Sequence, residues 1–384
     1  MLGRPVVNSC SEKAACGHNS VMSRNSSIND NVTLSCPSES IDQFRNQVYS
    51  TVYSIITVFG LVGNGFALLV LIRTFRQRSA FHIYMLNLAV ADLLCVCTLP
   101  LRVFYYINKG HWTLGDFLCR VSSYALYVNL YGSIFFMTAM SCTRFIAIVF
   151  PVQNLRLVNP RKACIVCICI WVFICSTSSP FLMSGEYVDK ETKKTKCFEP
   201  PKGSGGQSKL KVLNYFSLVM GFILPFLIIL ICYAGIIRTL LMGSNGMNRR
   251  KTTNTKAIRM IVIVTLVFLV SFMPYHIQRT IHLHLLSRGD VSCEEQVYMQ
   301  KSVVVTLCLA ASNTCFDPLL YFFSGENFRN RLSTLRKASV NSSILPRHSH
   351  KTIPQNVEDQ DKLKCCNGPQ DSLTTADSYT NPQE

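Results

Sequence analysis

The sequence predicts an all-α membrane protein: a seven-transmembrane helix bundle with a short amphipathic surface helix after the seventh span. Three observations predict it. The 384 residues are 49% hydrophobic and only 15% charged, where a soluble domain carries about a quarter charged residues. Seven apolar stretches each reach the roughly 20 residues that a helix needs to cross a bilayer core. Lys and Arg also gather at alternate ends of those stretches, as they do on the cytoplasmic side of membrane proteins.

Taken in order, residues 1–47 form a polar tail. It lacks the continuous apolar run of a cleavable signal peptide, so the first span is expected to act as its own insertion signal. Asn25-Ser26-Ser27 and Asn31-Val32-Thr33 are sequons, making Asn25 and Asn31 candidate glycan sites on an outside tail. The spans read as 48–72, 82–106, 117–149, 163–183, 212–241, 257–286 and 297–323. Arg73, Arg76 and Arg78 follow span one, which puts the N-terminus outside and the C-terminus in the cytoplasm. The 48–324 membrane domain is followed by a surface helix at 325–338, where Phe328, Leu332 and Leu335 share one face among basic residues. Residues 339–384 are polar and expected to be disordered.

Between spans four and five the sequence is rich in lysine, from Lys190 to Lys211. This reads either as a solvated loop or as an electrostatic funnel for an anionic ligand. Much of the net charge of +17 lies on cytoplasmic faces, where anionic membrane lipid attracts it; it does not indicate a nucleic-acid partner. Of the eighteen cysteines, those inside spans read as packing residues, and the Cys164-x-x-Cys167 spacing lacks His or acid neighbours for a metal. Cys119, at the outer end of span three, and Cys197, in the basic loop, are the best candidates for a disulfide.

Polar residues inside spans need a reason, because Asp or Arg mid-membrane costs about 2.5–3.5 kcal/mol. Asp92 and Asp317 are expected to face one interior cavity, where two carboxylates repel. A sodium ion held by Asp92, Ser133, Asn313 and Asp317 resolves this; so does a neutral hydrogen-bonded cluster with Asn64, Ser133 and Asn313. No other cofactor is expected. Pro225, Pro274 and Pro318 remove helix hydrogen bonds and kink their spans, as hinges or as fixed bends. Arg144, with Tyr233 and Tyr321 near other inner ends, reads either as a snorkelling anchor or as part of a docking surface for a cytoplasmic partner. Arg102 and Arg279, in the outer halves of spans two and six, either snorkel outwards or point inwards to bind ligand anions. Tyr53, Tyr127, Tyr131, Tyr275 and His276 are expected to line the same half. Aromatic walls with few charges suit a ligand with a long apolar body and an acidic head.

Several motifs carry a resemblance. They are Gly63-Asn64, Leu88-Ala89-Val90-Ala91-Asp92, Cys119, Arg144, Trp171, Pro225, Tyr233, Phe272-Met273-Pro274 and Asp317-Pro318-Leu319-Leu320-Tyr321. Together the chain resembles the rhodopsin-like (class A) G-protein-coupled receptors across its whole membrane domain. Runs such as Cys97–Val103, Ser178–Met183, Lys196–Pro201, Ser271–His284 and Asp317–Gly325 are similar to the cysteinyl leukotriene receptors within that family. The resemblance implies a plasma-membrane receptor and an agonist with an arachidonate chain and a glutathione-derived head. It implies coupling to a heterotrimeric G protein of the Gq class with calcium release, and a tail that engages arrestin and receptor kinases. It further implies the Cys119–Cys197 bridge and a second one, Cys36–Cys293. Ligand contacts fall to Arg102, Tyr127, Tyr275 and Arg279, and switching to Arg144, Tyr233, Phe272, Pro274, Asp317, Pro318 and Tyr321.

Three departures stand out. Thr143 precedes Arg144 where the family commonly has an acid, Asn254 stands where span six often supplies one, and Phe272 replaces a common Trp. Rival readings are a purinergic-type nucleotide receptor, which His276-x-x-Arg279 also fits, and a transporter or channel. Span seven holds no Arg, only Lys301 near its outer end, which is little for a polyphosphate. No inverted repeat supports a transporter, and no nucleophile–base constellation supports an enzyme.

Overall fold

Why the middle of this chain must sit in lipid is visible in what it buries. In the computed structural model, Asn64, Asp92, Ser133 and Asp317 are fully buried, whereas Phe59 and Val62 are 65% and 67% exposed. Polar side chains face inwards and apolar ones outwards, which water would not tolerate and a bilayer requires. The structure describes residues 38–73, 79–183, 185–190, 192–199, 207–242, 248–285 and 291–324, all within one compact unit. The expected surface helix at 325–338, the tail at 339–384, Asn25, Asn31 and Cys36 lie outside the described residues.

Seven helices are long and apolar enough to cross a membrane: Ser40–Arg73, Ala80–Ile107, Asp116–Val149, Pro160–Leu182, Lys211–Met242, Ala257–Leu285 and Cys293–Phe322. Six agree with the expected spans to within a few residues. The first differs, because its helix begins at Ser38 rather than near 48. The added turns are polar but not free: Arg45 pairs with Asp42 at 2.8 Å and with Glu199 of the span four–five loop at 3.1 Å. A tertiary partner extends the helix beyond its hydrophobic run.

Spans one and seven show how a proline is accommodated. Pro318 has no N–H to give Thr314, four residues back. Asn64 donates its side-chain amide to that carbonyl at 2.7 Å, satisfying a group that would cost about 1–3 kcal/mol if buried alone. The adjacent Gly63 makes room, since a Cβ there would stand 2.9 Å from the Pro318 ring. Gly63-Asn64 is therefore a receptacle for Pro318. Span seven is interrupted earlier, at Ser312, between the helices Cys293–Ala311 and Asn313–Ser324.

In spans five and six the prolines act through π-helical turns. Val219–Ile223 and Phe268–Phe272 are π-helical, with Leu224 N–H bonded to Val219 O and Met273 N–H to Phe268 O. Each segment ends two residues before Pro225 or Pro274, so a widened turn directly precedes each proline. Across the bundle, Trp171 in span four donates Nε1–H to Asn87 of span two at 2.8 Å.

Beyond spans three and four, β1 (Tyr187–Val188) and β2 (Thr195–Lys196) form an antiparallel hairpin with Tyr187 opposite Lys196. Trp112 fastens the span two–three connection to it, donating N–H to Thr195 O at 2.9 Å and Nε1–H to Gly115 O at 2.8 Å. Gly115 adopts φ 84°, a conformation costly for other residues.

Candidate functional site

The disulfide Cys119–Cys197 is present and ties the hairpin to the start of span three. Cys293 is also disulfide-bonded; its expected partner Cys36 lies outside the described residues. The end of the bundle marked by Cys119–Cys197 holds both candidate ligand-binding arginines, in different settings.

Arg102 is buried, 3% exposed, so it does not snorkel. It donates Nη2–H to Ser122 O at 3.3 Å, and its guanidinium lies 4.0 Å from the Phe198 ring centroid. Phe198 directly follows the bridged Cys197 and has φ 67°, a left-handed conformation uncommon for a bulky residue. Its surroundings hold it there. Tyr105 and Trp112 meet its ring edge-on, both at 5.4 Å, and the next residue, Glu199, accepts from Tyr105 at 2.9 Å and pairs with Arg45. Tyr53 belongs to this side, fully buried and stacked on Tyr49 with centroids 5.0 Å apart.

Arg279 is partly buried among the rings of Tyr127, Phe181 and Tyr275, whose centroids lie 5.5, 5.9 and 5.7 Å from it. It donates to the Tyr275 hydroxyl, and to that of Tyr127 at 3.4 Å. Phe181 stacks on Tyr127 at 3.5 Å. His276 is 2% exposed, faces Phe222 at 4.8 Å and Tyr131 at 6.0 Å, and has no protein partner for Nε2. The structure thus groups Tyr127, Tyr131, Tyr275 and His276 with Arg279, and Tyr53 with Arg102. Among the described residues, no carboxylate forms an ion pair with either arginine. Sequence reasoning missed Phe181, in the 3-10 turn Ser179–Leu182 that ends span four, and Phe198, in the loop after it; neither position carries a periodic signal.

In the middle of the bundle, Asp92 and Asp317 are fully buried. Asn129, missed in the sequence, donates to Asp92 Oδ1 at 2.8 Å. Asp92 Oδ2, both Asp317 oxygens, Ser133 Oγ and the Asn313 side chain are buried without protein partners. Asn64, expected in a neutral form of this cluster, gives its amide to Thr314 O and Gly60 O instead. Phe272 is fully buried and meets Phe268 edge-on at 5.4 Å, in the π-helical segment just before Pro274.

At the opposite end, Arg144 lies 4.2 Å from the Phe81 ring centroid, a contact worth about 0.5–2 kcal/mol. Thr143 turns its hydroxyl back to Ala139 O at 2.8 Å. Tyr233 shares a 2.8 Å hydrogen bond with Ser141, and Tyr321 is fully buried. The side chain of Asn254 lies outside the described residues.

Seven spans with polar interiors, a bridged loop over one end and Pro-adjacent π turns define a polytopic helical membrane protein. Residues 63–321 match the 7 transmembrane receptor (rhodopsin family) pattern, and the chain belongs to that family. It is a multi-pass plasma-membrane protein and not an enzyme. It is 60% identical over 331 residues to cysteinyl leukotriene receptor 1 of Homo sapiens, covering 86% of this chain and 97% of that one. The corresponding protein of Sus scrofa is 59% identical over 334 residues, with 86% and 97% coverage. Cysteinyl leukotriene receptor 2 of Sus scrofa is 41% identical over 320 residues, covering 83% and 90%.

Proposed function

We propose that this chain is a receptor for cysteinyl leukotrienes that activates a heterotrimeric G protein, chiefly of the Gq class, and thereby calcium release. The observation that carries it is the setting of Arg279. Its guanidinium is partly buried and held by the neutral hydroxyls of Tyr127 and Tyr275, with no carboxylate ion-paired to it among the described residues. Such a site favours an arriving anion. Arg102, Tyr53, Tyr131 and His276 supply a second cation and apolar walls for an acidic head and a long hydrocarbon body. The relatives' names agree with that ligand chemistry.

In this reading the N-terminus and the disulfide end face outside, while Arg144 lies at the G-protein end, with Tyr233 and Tyr321 buried inside the bundle. Arg279 sits on the segment just beyond Pro274 and the Phe268–Phe272 turn. Drawing Arg279 towards a bound carboxylate therefore tilts that segment against Phe272 and shifts the inner half of span six. Asp92, Ser133, Asn313 and Asp317 offer only oxygen and amide donors with unmet bonding capacity, a set that fits a hard cation such as sodium. That ion would neutralise the paired carboxylates. Serines of the tail would serve receptor kinases and arrestin.

The test is expression in cells lacking such receptors, with calcium responses to cysteinyl leukotrienes and to nucleotides recorded in parallel. A leukotriene response is expected; a nucleotide-only response would overturn the reading.

A further inference from the structure

Spans three and five meet along a seam in constant register. Cys142 Sγ and Cys232 Sγ are 3.7 Å apart and 90 positions apart in sequence. The same offset pairs Tyr131 with Gly221 and Phe145 with Gly235, where a Cβ on either glycine would collide with the facing ring. One residue from the thiols, Ser141 and Tyr233 share their 2.8 Å hydrogen bond. Glycines opposite rings bring the two backbones close, and the thiols face each other between them. Cys142 is partly exposed while Cys232 is 5% exposed, so the more open cysteine has a sheltered one beside it. Cys142 lies two residues before Arg144, and Cys232 adjoins Tyr233.

We propose that Cys142 and Cys232 form a thiol-oxidation site, closed to a disulfide by organic hydroperoxides, that locks the register of spans three and five beside the G-protein face. The sulfurs need to approach by about 1.7 Å, from 3.7 Å to a bonded 2.03–2.05 Å. The hydroperoxide ROOH oxidises the Cys142 thiol to a sulfenic acid and leaves as ROH. The Cys232 sulfur then attacks the sulfenic sulfur, forming the S–S bond and releasing water. Two thiols and ROOH thus give one disulfide, ROH and water, with two electrons passing to the peroxide O–O bond. In the reducing cytosol such a bond is transient, as expected of a sensor. A cross-linked seam cannot slide, so switching that needs span five to move against span three is suppressed.

The test treats membranes containing the full chain with tert-butyl hydroperoxide, blocks remaining thiols with N-ethylmaleimide and digests them for mass spectrometry. The proposal expects a Cys142–Cys232 linked peptide. It also expects leukotriene-stimulated nucleotide exchange to fall by about fivefold or more and to recover with thioredoxin. Both effects should vanish in Cys142→Ser and, independently, in Cys232→Ser. Separate alkylation of the two cysteines after peroxide, an equal fall in exchange in Cys142→Ser, or a linked peptide with unchanged exchange would overturn it. The exchange arm rests on the receptor reading above, but the peptide does not. Untreated membranes that ignore leukotriene would fault that reading alone and leave the peptide to decide the site.

Discussion

Arg102 and Arg279 stand at the same end of the bundle, yet they are held by different parts of the chain. Arg102 leans on a loop: the Phe198 ring above it is fixed by the Cys119–Cys197 bridge on one side and by the Arg45–Glu199–Tyr105 network on the other. Arg279 leans on tyrosine hydroxyls, one four residues away on its own helix and one on span three. The difference teaches that one cation is positioned by tertiary fastening of a connection, and the other by the helices themselves. Only the second lies on the same helix as Pro274.

The sharpest way to break this comparison is Arg279→Ala. Losing a charge-assisted contact costs about 2–3 kcal/mol, so leukotriene affinity should fall about 30–150-fold in radioligand binding while surface expression holds. A change under threefold would remove Arg279 from the site. Next comes Glu199→Gln, which weakens the ion pair to Arg45. It should lower affinity about tenfold or less, and in that background Arg102→Ala should add little while Arg279→Ala keeps its full effect. Full additivity of Arg102→Ala would show that the loop does not position Arg102. Tyr127→Phe removes one long hydrogen bond to Arg279 and should cost about 0.5–1 kcal/mol, seen as faster ligand release. The smallest effect is expected at a third arginine. Thr143→Asp offers Arg144 an adjacent carboxylate worth about 0.2–1 kcal/mol and should lower basal signalling, measured as agonist-free nucleotide exchange. Unchanged or higher basal exchange would count against a restraining role.

What the sequence revealed follows the range over which each signal acts. The spans were legible because twenty apolar residues are a local property; the first helix outran its reading because Arg45 finds Glu199 more than a hundred residues away. Asn64 and Pro318 were each conspicuous as intruders, but that one satisfies the carbonyl freed by the other is a fact of packing between spans one and seven. Asp92 with Asp317 was foreseen from depth alone, whereas Asn129 looks like any polar residue in a helix until it is seen donating to Asp92. Phe181 and Phe198 were invisible because a 3-10 helix end and a loop carry no helical period, and a left-handed Phe cannot be inferred from its neighbours. The π-helical turns were also missed, since a proline announces a lost hydrogen bond but not a widened turn ahead of it.

The central claim is that Arg279 receives a carboxylate of the ligand, and a double-mutant cycle across that contact tests it most directly. Binding of a cysteinyl leukotriene and of its carboxylate-esterified analogues would be measured on the unmodified receptor and on Arg279→Ala. The account predicts that esterifying one carboxylate weakens binding to the unmodified receptor and changes binding to Arg279→Ala little, a coupling of about 1.5–3 kcal/mol. Losses that simply add for every esterified position would contradict it.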